Sequence, residues 1–171
     1  PARGAKLDRL RFAFASCQHF EQGWYTAYRD MAKQDLDVVV HLGDYIYESH
    51  HRRGSVRRHV LDEPLTLADY RNHHAQYKTD PDLRAAHASF PWIVTWDDHD
   101  VQNDYAGAFS QNNDPPEQLL LRRAAAYQAY YEHLPLRLRS RPVGPDALMY
   151  RSFSFGDLAE MQVTDDRQYR S

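Results

Sequence analysis

Two polar motifs dominate the chemistry that this sequence offers. Residues 43–47 (GDYIY) directly follow the apolar run 38–42, and residues 96–100 (WDDHD) directly follow the apolar run 90–95. Both motifs stand where buried strands should end, and ligands of open α/β sheets bind outside the carboxyl ends of the strands. We therefore expect carboxylates, a histidine and tyrosines to converge on one crevice, as in a metal-dependent hydrolase.

Two further predicted strand ends add ligand-type side chains. Cys17 ends the first strand, and Asp165, Asp166 and Arg167 follow the last one. Crowded carboxylates raise each other's pKa unless a cation compensates, so these groups predict bound metal. Carboxylate oxygens suit a hard ion such as calcium or magnesium, whereas thiolate and phenolate favour a transition ion such as iron. More than one ion is therefore expected.

Hydrophobic periodicity predicts the elements that position these groups. The predicted strands cover residues 10–16, 37–42, 91–96, 148–155 and 158–164, the last two joined by a tight turn at 156–157. The predicted helices cover residues 24–33, a segment opened by a capping box at 66–69, residues 81–89, and a long segment that follows Pro115-Pro116 and runs through His133. The expected core stripe of the longest helix is Leu120, Ala124, Tyr127, Tyr131 and Leu134.

Composition describes an ordinary globular chain: 171 residues, 42% hydrophobic, 26% charged, with a formal net charge of -3. No stretch approaches the apolar length of a membrane span. The single cysteine rules out an internal disulfide and leaves the compartment open. Charge is uneven locally, because residues 50–59 carry four arginines. This basic loop either overhangs the crevice and attracts anionic substrates or is simply solvated.

Five motifs together resemble the PhoD-like alkaline phosphatase/phosphodiesterase family of the metallophosphoesterase superfamily. They are residues 14–18 (FASCQ), 43–48 (GDYIYE), 66–71 (TLADYR), 96–100 (WDDHD) and 166–170 (DRQYR). The resemblance implies an α/β fold, the αββα sandwich of metallophosphoesterases. It also implies hydrolysis of phosphate mono- or diesters with Ca2+ and Fe3+ in the site, and a secreted or periplasmic location.

The same resemblance implies a role for individual residues. Cys17 is expected to be the thiolate ligand of the iron, Asp44 the carboxylate that bridges two metals, and Tyr47 the phenolate ligand. Asp98 then ligates the second metal site. His99 is the expected catalytic residue, beside the scissile phosphate.

Other polar residues are expected to support this set. Asp97 and Asp100 are predicted to stand behind the ligands, and the family usually has Glu at the position of Asp100. Arg167 either pairs with phosphate oxygens or forms a salt bridge to Asp165 or Asp166. A further group is predicted to be packing or surface histidines: His19, His73, His74, His87 and His133.

The family's later Gly-Asp-x-His segment, which supplies the remaining ligands, is not found after Asp166. The resemblance therefore implies that residues 1–171 are a partial PhoD-like domain. They would form roughly the N-terminal half of the sandwich, with five strands that supply about one sheet.

Two other functions stay open from the sequence. One is a catalytically silent metal-binding fragment. The other is a nucleic-acid-binding module in which the loop arginines grip phosphates beside aromatic rings. The acidic net charge counts against the second, so nucleic acid is not expected as a stable partner.

Overall fold

The computed structural model describes residues 4–51 and 54–170. Its strands are β1 (Phe12–Ala15), β2 (Val38–His41), β3 (Trp92–Val94), β4 (Arg151–Phe155) and β5 (Ala159–Val163). Its α-helices are α1 (Thr26–Met31), α2 (Leu67–Tyr77), α3 (Pro81–Ser89) and α4 (Pro116–His133), and short 3-10 turns cover Phe20–Gln22, Asp98–Asp100 and Leu138–Ser140. Each strand and α-helix lies within its predicted segment, and the strands and α1 are shorter than predicted. Arg52 and Arg53 of the basic loop lie outside the described residues.

A three-stranded parallel sheet in the order β1-β2-β3 forms the centre of the fold. The middle strand β2 is buried along its whole length, as its β-branched run predicts. Successive side chains of a strand point to opposite faces of the sheet, so β2 and β3 contribute residues to two separate hydrophobic cores. Val39 and Val94 join the main core against the helices, while Val38 and Ile93 pack against Phe155 on the other face.

The expectation of a single sheet is wrong. Within the described residues, β4 and β5 form their own antiparallel hairpin rather than extending the parallel sheet. Phe153, Met161 and Val163 pack with the small second core, so the hairpin lies across the face of the sheet. Burying these apolar side chains against Val38 and Ile93 favours this layered arrangement, with helices, sheet and hairpin in succession.

Helix ends follow the predicted capping chemistry. The Thr66 hydroxyl accepts from the Asp69 N–H, and the Asp69 carboxylate accepts from the Thr66 N–H, which completes the capping box of α2. Asp80 accepts from the first N–H groups of α3, with Pro81 at its first position. Among the described residues, no helix has the length and apolar character that crossing a bilayer requires.

The predicted core stripe of α4 is wrong by about one residue. Tyr127 and Leu134 are buried as expected, but Leu120, Ala124 and Tyr131 are only partly buried. The buried apolar side of the helix carries Leu119, Ala126, Tyr127, Ala129 and Tyr130. The Trp96 ring, which stacks on Tyr127 with centroids 3.7 Å apart, helps to fix this rotation of the helix.

Three of the histidines predicted to be packing or surface residues stack on other rings. His87 stacks on Trp92 at 3.9 Å and His74 on His133 at 5.2 Å between ring centroids. His41, at the end of β2, is also fully buried. Its burial, together with nearby His87, lowers its pKa to about 3. Such a ring is neutral in the folded protein and must be protonated as the protein unfolds in acid.

We expect His41 to make stability depend on pH. The unfolded residue titrates near 6.5, so its contribution to stability is complete above that pH and is lost as pH falls toward the folded pKa of about 3. Urea unfolding should show about 2 kcal/mol less stability at pH 5 than at pH 7 from this residue alone. In His41→Gln the difference between the two pH values should shrink by that amount. An unchanged difference would contradict the assignment.

Candidate metal centre

The carboxyl ends of the parallel strands bring the two predicted motifs and Cys17 together. The Cys17 N–H donates to the Gly43 carbonyl, and the Gln18 N–H donates to the Asp44 carbonyl, each over 3.2 Å. Cys17 and Asp44 both adopt positive φ angles, 56° and 54°. This left-handed conformation is uncommon outside glycine and costs on the order of 1–3 kcal/mol, and such strain clusters at functional sites.

Gly43 allows β2 and β3 to end side by side. Its φ is 119°, and a Cβ at this position would lie 2.5 Å from the Asp97 Cβ and 2.9 Å from the Trp96 carbonyl carbon. A side chain at residue 43 would therefore push the two strand ends apart. The glycine places Asp44 directly beside the motif that follows β3.

The Asp100 side chain connects the motif at residues 43–47 with its own motif at residues 96–100. Its buried carboxylate accepts hydrogen bonds from the N–H groups of Asp44 (2.9 Å), Tyr45 (3.0 Å), Ile46 (3.2 Å) and Asp97 (3.0 Å). Each oxygen therefore accepts two bonds. Burial and the nearby Asp44 charge raise the pKa of Asp100, and the N–H donors oppose that effect.

Three carboxylates, from Asp44, Asp97 and Asp98, form what we call the carboxylate cluster. One oxygen of each lies within 4.8 Å of the others. Burial raises the pKa of Asp44, and the charges of Asp97 and Asp98 add to it against the opposing effects of His99 and Tyr47. Asp97 was predicted to support the metal ligands from behind, whereas in the structure its carboxylate belongs to the carboxylate cluster itself. Three like charges this close fit a bound cation, and their oxygen donors suit a hard ion.

A phenol and a thiol lie on one side of the carboxylate cluster. The Tyr47 hydroxyl donates to Asp44 Oδ2 over 2.9 Å. Burial, with the neighbouring Asp44 and Cys17, raises the pKa of Tyr47. The exposed Cys17 is not among the groups that meet within 4.8 Å. Cys17, Tyr47 and Asp44 thus offer a mixed donor set that fits a transition ion, next to the oxygen set.

Arg167 spans two members of the carboxylate cluster. Its Nε donates to Asp97 Oδ1, and its Nη2 lies 3.1 Å from Asp98 Oδ1. Asp165 instead accepts from the Arg167 backbone N–H, and Asp166 is exposed. Of the two alternatives left open by the sequence, the side-chain salt bridge to Asp165 or Asp166 is not formed, because the guanidinium pairs with Asp97 and Asp98 instead.

Glu48 is a site residue to which sequence reasoning gave no role. It is only 4% exposed, its Oε2 lies 2.7 Å from His99 Nδ1, and its Oε1 accepts from the Asn103 N–H over 2.9 Å. Burial lowers the pKa of His99, but Glu48 and the charges of Asp44 and Asp98 outweigh it and raise the pKa to about 9. Because the Glu48 carboxylate accepts this hydrogen bond, Nδ1 of His99 carries a hydrogen, and the orientation of the ring is fixed.

Ring stacking supports the same histidine. Tyr47 and His99 stack with centroids 4.1 Å apart, and the His19 ring centroid lies 4.5 Å from that of Tyr47. The second tyrosine of the motif, Tyr45, is buried beneath the site, where its hydroxyl lies 2.9 Å from His87 Nε2. Of the two tyrosines, Tyr47 is therefore the one placed to contact a metal.

Arg57 fits neither alternative for the basic loop, attraction of anions or simple solvation. Its guanidinium pairs with Asp80 at 2.6 Å and lies 3.8 Å above the Phe20 ring. The side chain is 8% exposed, because it packs among aromatic residues rather than over the crevice. Arg58 is exposed, and the other two arginines lie outside the described residues.

Comparisons with known proteins agree on one family. The family described as PhoD-like phosphatase matches residues 12–171. Alkaline phosphatase D of Bacillus subtilis (strain 168) is 57% identical over 175 residues, which cover 99% of this chain and 30% of that protein. A solved structure of PhoD matches with a TM-score of 0.97 at 56% identity, over 100% of this chain and 34% of that one. The predicted family and α/β fold are confirmed, and the chain spans about a third of the length of these relatives.

We expect Asp100→Asn to destabilise the protein by about 2–4 kcal/mol. The amide keeps one acceptor oxygen and turns an NH2 group toward N–H donors, so buried donors lose their partner. Urea unfolding at pH 7 measures the loss. Asp104→Asn is the matched control, since Asp104 is exposed and its left-handed φ of 54° suits asparagine. The control should change stability by less than about 0.5 kcal/mol, and equal losses would contradict the role of Asp100.

Proposed function

The chain belongs to the PhoD-like phosphatase family, and from that premise we propose that the protein hydrolyses phosphate mono- or diesters with bound metal ions. The observation that carries the proposal is the carboxylate cluster, which meets within 4.8 Å at the ends of parallel strands. A thiol, a phenol and an arginine adjoin it. The name of the similar protein from Bacillus subtilis, alkaline phosphatase D, supports this class of substrate.

We propose Ca2+ and Fe3+ as the ions. Oxygens of Asp44, Asp97 and Asp98 would hold the hard cation, and Cys17 and Tyr47 would complete the donors to iron. Asp44 lies where it would serve both ions. When bound, such ions lower the pKa of a water molecule and neutralise phosphate charge.

His99 is the group of this chain best placed to handle a proton. With Nδ1 held by Glu48, its Nε2 is the nitrogen that remains to act on a substrate. A protonated His99 would donate to the leaving oxygen or stabilise the charge that develops on it. Arg167 would bind the phosphate once cations take over Asp97 and Asp98, since its fork of N–H groups matches two phosphate oxygens.

The second candidate is metal binding without turnover. This candidate is favoured because residues 1–171 cover only about a third of the length of the similar proteins. The rest of the family sequence would supply further metal ligands that turnover needs. Turnover of simple esters by the intact protein, compared with residues 1–171 alone, separates the two. We also propose a secreted or periplasmic location, which cell fractionation tests.

We expect Asp44→Asn and Cys17→Ala to lose metal, because each removes a donor from the proposed ions. His99→Ala should keep its metal and lose about 10²- to 10⁴-fold in rate, since it removes proton transfer alone. Elemental analysis of the intact protein, with turnover of one simple monoester and one simple diester, measures both effects. Full activity in Asp44→Asn would overturn the proposal.

Glu48→Gln should keep the metal and slow turnover by about tenfold or more, because the uncharged amide orients and polarises His99 less well. Glu132→Gln is the matched control, since Glu132 pairs with Arg71 on the surface at 2.6 Å. The control should leave kcat unchanged. If both variants turned over at the wild-type rate, Glu48 would have no part in positioning His99.

A further inference from the structure

A second group of metal-type donors lies apart from the carboxylate cluster. Glu21 in the Phe20–Gln22 turn meets His50 and His59, and one ligand atom of each lies within 4.8 Å of the others. We call these three residues the histidine-carboxylate group. We propose that it binds one divalent cation of the zinc class, at a site that does not depend on the proposed hydrolase function.

His59 supplies the observation that points to a ligand. Its side chain is fully buried, and its Nδ1 has no hydrogen-bond partner among the described residues. This nitrogen faces Glu21 Oε1 at 4.0 Å, which is too far for a hydrogen bond. Two ligands of a tetrahedral zinc ion lie about 3.4 Å apart, given zinc bonds of about 2.0–2.1 Å. A small inward movement would let both atoms coordinate one ion.

Glu21 and His50 complete the set. The Glu21 carboxylate is 2% exposed, and its Oε1 lies 3.1 Å from His50 Nδ1. The N–H groups of His51 and His59 donate to the same carboxylate over 2.5 Å and 2.8 Å, so it is already held in place. His50 is 45% exposed on the side of a cavity of about 340 Å³, which gives an ion a route from solvent.

The donor types select the class of cation. One carboxylate oxygen with two imidazole nitrogens is a set that zinc binds, and three protein ligands leave a fourth position for water. Calcium takes six or more oxygens and would not select two imidazoles. On the far side of the His59 ring, Nε2 lies 3.2 Å from the Tyr77 hydroxyl. This contact holds the His59 ring in its orientation, with Nδ1 turned toward Glu21.

A row of rings links this site to the carboxylate cluster. His59 stacks on His19 with centroids 5.4 Å apart, and His19 in turn lies 4.5 Å from Tyr47. A cation in the histidine-carboxylate group would hold the His59 ring in place against the Phe20–Gln22 turn. It would thereby support the packing beneath Tyr47 without contacting substrate.

The test uses the intact protein carrying Asp44→Asn, so that the proposed centre does not compete for zinc. Zinc chloride titrated by calorimetry should bind with one equivalent at the second site. Adding His50→Ala should weaken zinc affinity by at least about 100-fold. Mutating a residue that only contacts a metal ligand already costs about 10- to 100-fold in affinity, and His50 is proposed as a ligand itself. His51→Ala is the matched control, because this exposed neighbour lines the same cavity and is not in the group. It should change affinity by less than about threefold.

Two further measurements keep the outcome decisive. Circular dichroism without zinc should be the same for His50→Ala and His51→Ala, which excludes misfolding. Cobalt(II) in place of zinc should give the visible absorption of a four-coordinate ion, and His59→Gln should abolish it. Absence of zinc binding, or equal losses in His50→Ala and His51→Ala, would overturn the proposal. Either result would leave the assignment of the carboxylate cluster intact.

Discussion

One buried carboxylate holds the candidate centre together. Asp100 accepts from four backbone N–H groups that belong to two different loops, and so fixes the end of β2 against the end of β3. Side chains of like charge do not gather by mutual attraction, so the backbone must hold them. Strained φ angles at Cys17 and Asp44 indicate that the surrounding hydrogen bonds overcome local preference. The positions of the possible ligands are therefore a property of the main chain.

Charge balance explains why this arrangement favours cations. Arg167 faces Asp97 and Asp98, and His99 is already engaged by Glu48. Asp44 is buried and has no arginine partner, and it accepts instead from the Tyr47 hydroxyl and the His99 N–H. The histidine-carboxylate group has the opposite composition, one carboxylate with two imidazoles. The two groups would select different classes of ion, because oxygen-rich and nitrogen-rich donor sets differ in preference.

Local signals in the sequence predicted the family, the strand ends and the helix caps. Local signals failed where the sequence pattern allows two arrangements equally well and contacts between distant residues decide between them. Neighbouring tyrosines of α4 satisfy helical spacing about equally well, and the Trp96 ring helps to select the buried side. Arg167 and Asp97 are 70 residues apart, and Glu48 and His99 are 51 apart, so no spacing rule pairs them. The hairpin was predicted, but its placement in one sheet with the other strands failed for the same reason, since its pattern is equally compatible with extending the sheet.

The contact at Gly43 has a consequence for genetic variation. A methyl group at this position would overlap Asp97 and separate two strand termini, although glycine has no side chain with which to bind a metal or donate a proton. In a saturation screen, codon 43 should therefore tolerate as little change as the codons for the acidic side chains around it. In such a screen, loss of function at codon 43 would come from a steric clash, whereas loss at the neighbouring acidic codons would come from missing chemistry. Only the fold distinguishes these two causes.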